Sequence, residues 1–355
     1  MLGMYLGEPV EVRGEVSPRL AFGLQEWQHI FHSWYPRQFQ IVDVKYEQLG
    51  ALPSQETQGK VGAAFSGGLD SLYTFWRLMP ENQPNPAIRL SYALFIHGFD
   101  IRLSQEDRYR LLFQHYENEL KQVGVQLLTA KSNIYQFAQL RIKWELMHGG
   151  PLIGTALLLG KLFGKFIVNS SATYDNLKLT HFGTSPLSDH WLSTETLEVL
   201  HFGSDKERVE KMISIKNWSA AHRMLRVCSN LEKSVGIDNC GRCVRCLLNK
   251  TRLELLGILP EFTTFTQPFS HLDLLRLAFA MDGFPGADRM VLKAAKSAHR
   301  WDIAFPMMFI YCLDFFKRFI IENIFNRLSL ERRYQIKRYF YRNRAERSSH
   351  EVLFK

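Results

Sequence analysis

Val61-Gly62-Ala63-Ala64-Phe65-Ser66-Gly67-Gly68-Leu69-Asp70-Ser71 is the stretch on which the fold turns. VGAAF is a short apolar run of the kind a buried strand carries. Behind the stretch, Leu72, Phe75, Trp76 and Met79 fall at i, i+3, i+4 and i+7, which predicts an amphipathic helix. SGGLDS (66–71) is therefore a strand-to-helix turn. Gly67 and Gly68 let the backbone approach a ligand closely and adopt positive φ. Successive N–H groups at a helix N-terminus form a nest for an anion such as phosphate. Ser66 and Ser71 add hydroxyl donors. Asp70 would repel a bare phosphate, so its presence points to Mg²⁺, which takes carboxylate and phosphate oxygens together. The turn is not the kinase-type loop, because no Lys follows the glycines. GTALLLGK (154–161) has one residue too many for that loop and lies in an apolar, helical stretch.

Outward from this turn, strands and helices alternate. LSYALFIHG (90–98), VQLLTA (125–130) and KFIVNSS (165–171) read as further strands, and 104–123 as a helix. A longer helical region covers 133–164, interrupted around His148-Gly149-Gly150-Pro151. Such alternation predicts an α/β fold with a parallel sheet covered on both faces. The polar segment LPSQETQGK (52–60) marks a boundary, preceded by strand-like EVRGEV and FQIVDVKYEQL. The expected organisation is a β-rich extension over 1–58, an α/β domain over 59–260 and a helical, basic region over 261–355.

With 46% hydrophobic and 22% charged residues in 355, the chain has material for a sizeable core, and collagen-like, disordered and polytopic membrane classes are excluded. The first residues show no secretory signal, so a cytoplasmic location is expected. Net charge is +9, and residues 317–347 hold ten Lys/Arg against three Glu. That basic stretch suits nucleic acid, an anionic membrane surface or a protein partner, or is a solvated helix face. IAFPMMFIYCL (303–313) is too short to span a bilayer and reads as a core helix or an interfacial one.

All five cysteines lie beyond residue 227, and Cys228, Cys240, Cys243 and Cys246 form C-x11-C-x2-C-x2-C. Four thiolates suit tetrahedral Zn²⁺, with an iron–sulfur cluster as the alternative. Gly241 relieves crowding in the turn, and Arg242 and Arg245 would lower the thiol pKa values. Cys312 stands apart and is expected to be a buried apolar residue.

Ser66-Gly67-Gly68-Leu69-Asp70-Ser71 resembles the SGGxDS signature of the PP-loop ATP pyrophosphatase superfamily. The resemblance implies an adenine-nucleotide α-hydrolase-like fold and cleavage of ATP between the α and β phosphates. Together with Asn239-Cys240-Gly241-Arg242-Cys243-Val244-Arg245-Cys246, the signature is similar to that of the 7-cyano-7-deazaguanine synthases. The likeness covers residues 60–256, and the gap between the first two cysteines is longer here than in that family. It implies ATP and Mg²⁺ bound by Ser66, Gly67, Gly68, Leu69, Asp70 and Ser71. His97 follows the second strand at the carboxyl ends of the sheet, where it would face the adenine or be a plain loop histidine. Lys211 matches a lysine ahead of the cysteines in that family, where it would balance phosphate charge, or it is a solvated helix lysine. Asp70, Ser71 and Lys211 are thus the expected catalytic set, and a ligase that activates a small-molecule carboxylate, of 7-deazaguanine type or related, for amide or nitrile formation is the expected function.

Weaker candidates follow other strands: Asp100, then Ser171, Tyr174 and Asp175, then the adjacent Asp189 and His190 for acid–base chemistry. Two other functions fit the same motifs. One is a tRNA-modifying PP-loop ligase or thiolase, with Tyr334, Tyr339, Phe340 and Tyr341 interleaved in the basic stretch. The other is a non-catalytic ATP-sensing interaction protein, for which an oligomer would be natural.

Overall fold

A computed structural model describes residues 1–50, 60–138, 141–175, 181–228, 236–280, 287–310 and 312. The boundary segment at 52–59 and the basic stretch at 317–347 lie outside the described residues. The chain divides into two compact units, Met1–Phe269 and Ser270–Lys355.

The first unit opens with α1 (Leu2–Leu6), β1 (Val10–Val16), α2 (Pro18–Trp34) and β2 (Val44–Leu49). The Ser17 hydroxyl caps α2 by accepting from the Leu20 N–H, and Pro18 opens the first turn with its φ already helical. β1 and β2 pair in parallel as a two-stranded sheet, with α2 as their crossover. The expectation of a β-rich extension is corrected here, because a 17-residue helix dominates the segment. α2 buries Trp27 and Phe31 against the main sheet's core, so this segment packs as part of the unit.

The main sheet is built from β3 (Val61–Ala64), β4 (Leu90–His97), β5 (Gln126–Lys131), β6 (Lys165–Asn169) and β7 (Glu198–Phe202). Its order is β5-β4-β3-β6-β7, and every pairing is parallel. The connecting helices are α3 (Leu69–Arg77), α4 (Glu106–Gln122), α5 (Ile134–Ala138), α6 (Trp144–Met147) and α7 (Gly149–Leu158). α8 (Arg208–Ile215), α9 (Ser219–Met224) and α10 (Val244–Leu255) follow the last strand. Parallel strands covered on both faces must be apolar on both, and all four residues of β3 are buried. Val61, Ala63 and Phe65 pack with Leu72, Phe75, Leu112 and Met212 on one face. Ala64 faces the other way, with Phe31, Ile153 and Phe166. This α/β architecture with a parallel sheet matches the expectation from strand–helix alternation.

The chain winds outward from β3 to β5, then returns to the other side of β3 for β6 and β7. The reversal opens a crevice at the carboxyl ends of β3 and β6, where open α/β sheets bind ligands.

In the second unit, α11 (His271–Ala280), α12 (Ala287–Ser297) and a helix over 301–310 are described. No helix among the described residues is long and apolar enough to cross a membrane. Cys312 is exposed, which corrects the expectation that it is buried.

Candidate active site and metal centre

The Phe65–Gly68 turn leaves β3 and enters α3 at the mouth of the crevice. Gly67 has φ 69°, and a Cβ there would lie 2.2 Å from the Tyr116 hydroxyl oxygen. This position therefore requires glycine on two counts. Gly68 caps α3 at φ −76°, so the expectation of positive φ at both glycines holds for Gly67 alone. The turn is internally braced. The Gly68 N–H donates to the Ser66 hydroxyl at 3.2 Å, and the buried Ser71 hydroxyl donates to the Gly68 carbonyl at 2.9 Å. Ser71 thus holds the turn from beneath.

Asp70 lies in the first turn of α3, and two cations converge on it from α8. The ammonium of Lys211, buried to 1% exposure, donates to Asp70 Oδ1 at 2.8 Å and to the Ser170 carbonyl at 2.6 Å. Arg208 approaches Asp70 Oδ2 at 3.5 Å. One helical turn separates Arg208 from Lys211, so a single face of α8 presents both. The side chains of Glu207 and Glu210 close a capping box that fixes where this helix starts. Burial pushes the Asp70 carboxyl up, but the charges and hydrogen bonds of Arg208 and Lys211 outweigh it, and its pKa lies below the ordinary value. Asp70 is a carboxylate at neutral pH. Lys211 also lies over the Tyr73 ring, 5.5 Å from its centroid.

The crevice has two parts that share Ser66, Asp70, Asp100, Arg208 and Arg245. The first, about 400 Å³, is lined by four arginines: Arg208, Arg226, Arg245 and Arg252. The second, about 420 Å³, is walled by Phe99, Trp144, His148 and Phe182 beside Asn169 and Glu145. Both volumes fall in the range of small-molecule sites. Four guanidinium groups against two carboxylates make the first part an anion receptor. Arg226 is nearly buried and also braces the loop: its N–H donates to the Gly67 carbonyl at 2.8 Å and its guanidinium to the Ser66 carbonyl at 3.1 Å. At Asn169, on the end of β6, the amide nitrogen donates to the Ala64 carbonyl at 2.7 Å, while the buried side-chain oxygen has no partner. That oxygen is an acceptor awaiting a donor.

Cys228, Cys240, Cys243 and Cys246 place their sulfurs within 4.8 Å of one another. The Cys240–Cys246 and Cys243–Cys228 separations are 3.8 and 4.0 Å. Tetrahedral zinc with Zn–S near 2.3 Å implies S···S edges of about 3.8 Å. These residues could hold a metal ion such as zinc. A [4Fe–4S] cluster puts each cysteine on its own iron and a [2Fe–2S] cluster puts two on each of two irons, so both spread the four thiolates further than one tetrahedron does, and the spacing favours a single ion. Gly241 takes φ 66° in the tight turn, as its place between ligands requires. Without a metal, hydrogen bonds among the neighbouring thiols, and burial, push the Cys228 and Cys246 thiols up. Metal binding would release those protons.

Ser66, Gly68, Leu69, Asp70 and Asp100 all line the crevice. His97 does not reach it, which corrects its expected place near a nucleotide. Its Nε2 contacts the Arg102 carbonyl at 2.9 Å, its Nδ1 faces Glu106, and its ring stacks on Tyr109. Asp189 and His190 do not form a pair. Asp189 is buried against His201 Nδ1 at 2.8 Å, while His190 contacts the Pro186 carbonyl. Ser171 lines the second part of the crevice, whereas Tyr174 and Asp175 line neither. Arg245 is exposed in the crevice, and Arg242 is exposed outside it. Three of the four crevice arginines, Arg208, Arg226 and Arg252, belong to none of the motifs read in the sequence. Arg245, Leu248, Asn249 and Arg252 share one face of α10 at i, i+3, i+4 and i+7, a spacing that was readable. No family model and no curated protein matches the chain.

Proposed function

We propose that the chain is an ATP-dependent adenylating enzyme of PP-loop type, a ligase that activates a carboxylate. The observation that carries this reading is the convergence at the Ser66–Ser71 turn. There Asp70 is held by Lys211 and Arg208, and three more arginines complete an anion receptor at the carboxyl ends of parallel strands. Polyphosphate fits the arginine-lined part, and an acceptor with a planar ring fits the aromatic part beside it.

In the reaction, an oxygen of the substrate carboxylate attacks the α-phosphorus. The bond from that phosphorus to the α–β bridging oxygen breaks, and pyrophosphate leaves with the electron pair. Lys211, Arg208 and the crevice arginines oppose the charge that gathers on the leaving group. Asp70 and Asp100, the carboxylates that both parts of the crevice share, are the ones that would hold Mg²⁺. Each has an oxygen whose nearest cation is 3.5 Å away, leaving lone pairs free. Ammonia or an amine then attacks the acyl carbon, AMP departs and a proton is lost. A second adenylation on the amide oxygen, with loss of AMP and a proton, would give a nitrile. The four cysteines would hold zinc, and four thiolates leave no open coordination position, so its contribution is to shape the crevice.

ATP–pyrophosphate exchange tests the reading. With Mg²⁺ and 7-carboxy-7-deazaguanine, exchange should depend on the acid and be lost in Asp70→Asn. ATP binding without exchange for this or any tested carboxylate overturns the adenylation reading and leaves an ATP-sensing role.

A further inference from the structure

The helix over 301–310 is apolar apart from Asp302. Ile303, Ala304, Met307 and Ile310 are buried on one side. On the other, Trp301, Phe305, Met308 and Phe309 stay 46%, 63%, 36% and 60% exposed. Their spacing of i, i+4, i+7 and i+8 makes one continuous stripe, and exposed Cys312 extends it. Asp302 lies beside the stripe, and Arg300 neutralises it at 2.9 Å. In the same unit, α11 leaves Leu272 and Leu275 exposed. Contiguous exposed apolar surface of this kind marks an interaction face.

The sequence just beyond the stripe bears on what that face meets. Residues 317–347 carry ten Lys/Arg against three Glu, with Tyr334, Tyr339, Phe340 and Tyr341 among them. We propose that this unit docks on an anionic lipid surface. The stripe would seat at the headgroup–acyl boundary and the basic residues among the headgroups. Nucleic acid would answer the charge but leave the stripe in water. A second copy would cover the stripe but set one basic stretch against another. An anionic bilayer surface answers both, with each Lys/Arg near it contributing about 1 kcal/mol. The apolar run 303–313 is followed in the sequence by Asp314, Lys317 and Arg318, and eleven helical residues reach only about 16 Å, half of a bilayer core, so the run suits lying in the interface plane.

Vesicle flotation with the full chain tests this. Binding is expected to phosphatidylcholine vesicles containing phosphatidylglycerol and not to phosphatidylcholine alone, and it should weaken as salt is raised. The double substitution F305E/F309E should lower the partition by more than about tenfold, since each buried Phe is worth at least a factor of that order. Its circular dichroism and thermal transition should match those of the parent. Three results would overturn the proposal. One is no binding to anionic vesicles. Another is equal binding to neutral vesicles. The third is a dimer, seen by sedimentation, that F305E/F309E dissolves while vesicle binding stays intact.

Discussion

Lys211→Met removes the buried charge behind Asp70 while keeping an unbranched stem against the Tyr73 ring. The ammonium makes two bonds, to Asp70 at 2.8 Å and to the Ser170 carbonyl at 2.6 Å. Taking one partner from a buried pair costs about 3–5 kcal/mol. Asp70 is 22% exposed, so water relieves part of its loss. Arg208 remains, but at 3.5 Å and with its own side chain 44% exposed. A cost of about 2–3 kcal/mol at pH 7 follows. Asp70→Asn/Lys211→Met removes both charges, and the coupling energy from the cycle should be about 1–2 kcal/mol. Urea unfolding of the four proteins gives that number. The pH dependence has a definite sign. The folded pKa of Asp70 lies below its ordinary 3.8, so the stabilisation is complete above that value and is lost as pH falls through the folded pKa. The gap between parent and Lys211→Met should therefore close in acid. Costs that add within about 0.5 kcal/mol, or a gap that is flat with pH, would refute the ion-pair account.

Two other outcomes follow from the same geometry. The purified chain should carry stoichiometric zinc by atomic absorption, and Cys240→Ser should lose it together with thermal stability. Before chelation only the exposed Cys312 should react with a thiol reagent, and all five cysteines should react after it. Gly67→Ala, at φ 69° against the Tyr116 hydroxyl, should cost about 2 kcal/mol or more by thermal melting and impair nucleotide binding. Gly68→Ala, at φ −76° with its nearest neighbour the Ser66 hydroxyl at 3.2 Å, should cost less than half of that.

The central strands were legible because a parallel strand buried on both faces must read as an unbroken apolar run, as VGAA and LSYALFIH do. β7 escaped for the opposite reason. It is an edge strand with one fully buried residue, and Glu198 and His201 dilute its pattern. α2 also escaped, although Ser17-Pro18 is a readable cap, because His, Gln and Trp blur its apolar face. The cysteine centre was readable because its ligands cluster in sequence. The Asp70–Lys211 pair joins residues 141 apart, so no local pattern marks it, and Lys211 entered the candidate set only through a family resemblance. His97 stands at a strand end, where ligands bind. Strand alternation nevertheless turns its ring into the packing around Tyr109. Asp189 and His190 are sequence neighbours on a tight 3-10 turn that points them apart.

Four thiols able to hold a metal ion lie beside a crevice lined by four arginines, and the connections between them give the placement a physical reason. Arg226 comes two residues before Cys228, and its N–H and guanidinium hold the Gly67 and Ser66 carbonyls. Asn239, next to Cys240, fixes the same segment. Its oxygen accepts from the N–H groups of Val227 and Cys228 at 2.8 and 3.1 Å, and its nitrogen donates to the Leu225 carbonyl at 2.9 Å. Cys243 is the N-cap of α10, so the turn that carries the ligands also sets the start of the helix that turns Arg245 and Arg252 to the crevice. Three of the four crevice arginines are thus borne on chain that the thiols would anchor. Structural zinc supplies an apparent 10–16 kcal/mol or so in small domains, comparable to the roughly 5–15 kcal/mol that holds a whole domain folded. That is enough to keep three mutually repelling guanidinium groups aimed at one volume before any anion arrives to neutralise them. A metal held by these thiols would act on the crevice by fixing backbone, and its removal should loosen the arginines ahead of the sheet.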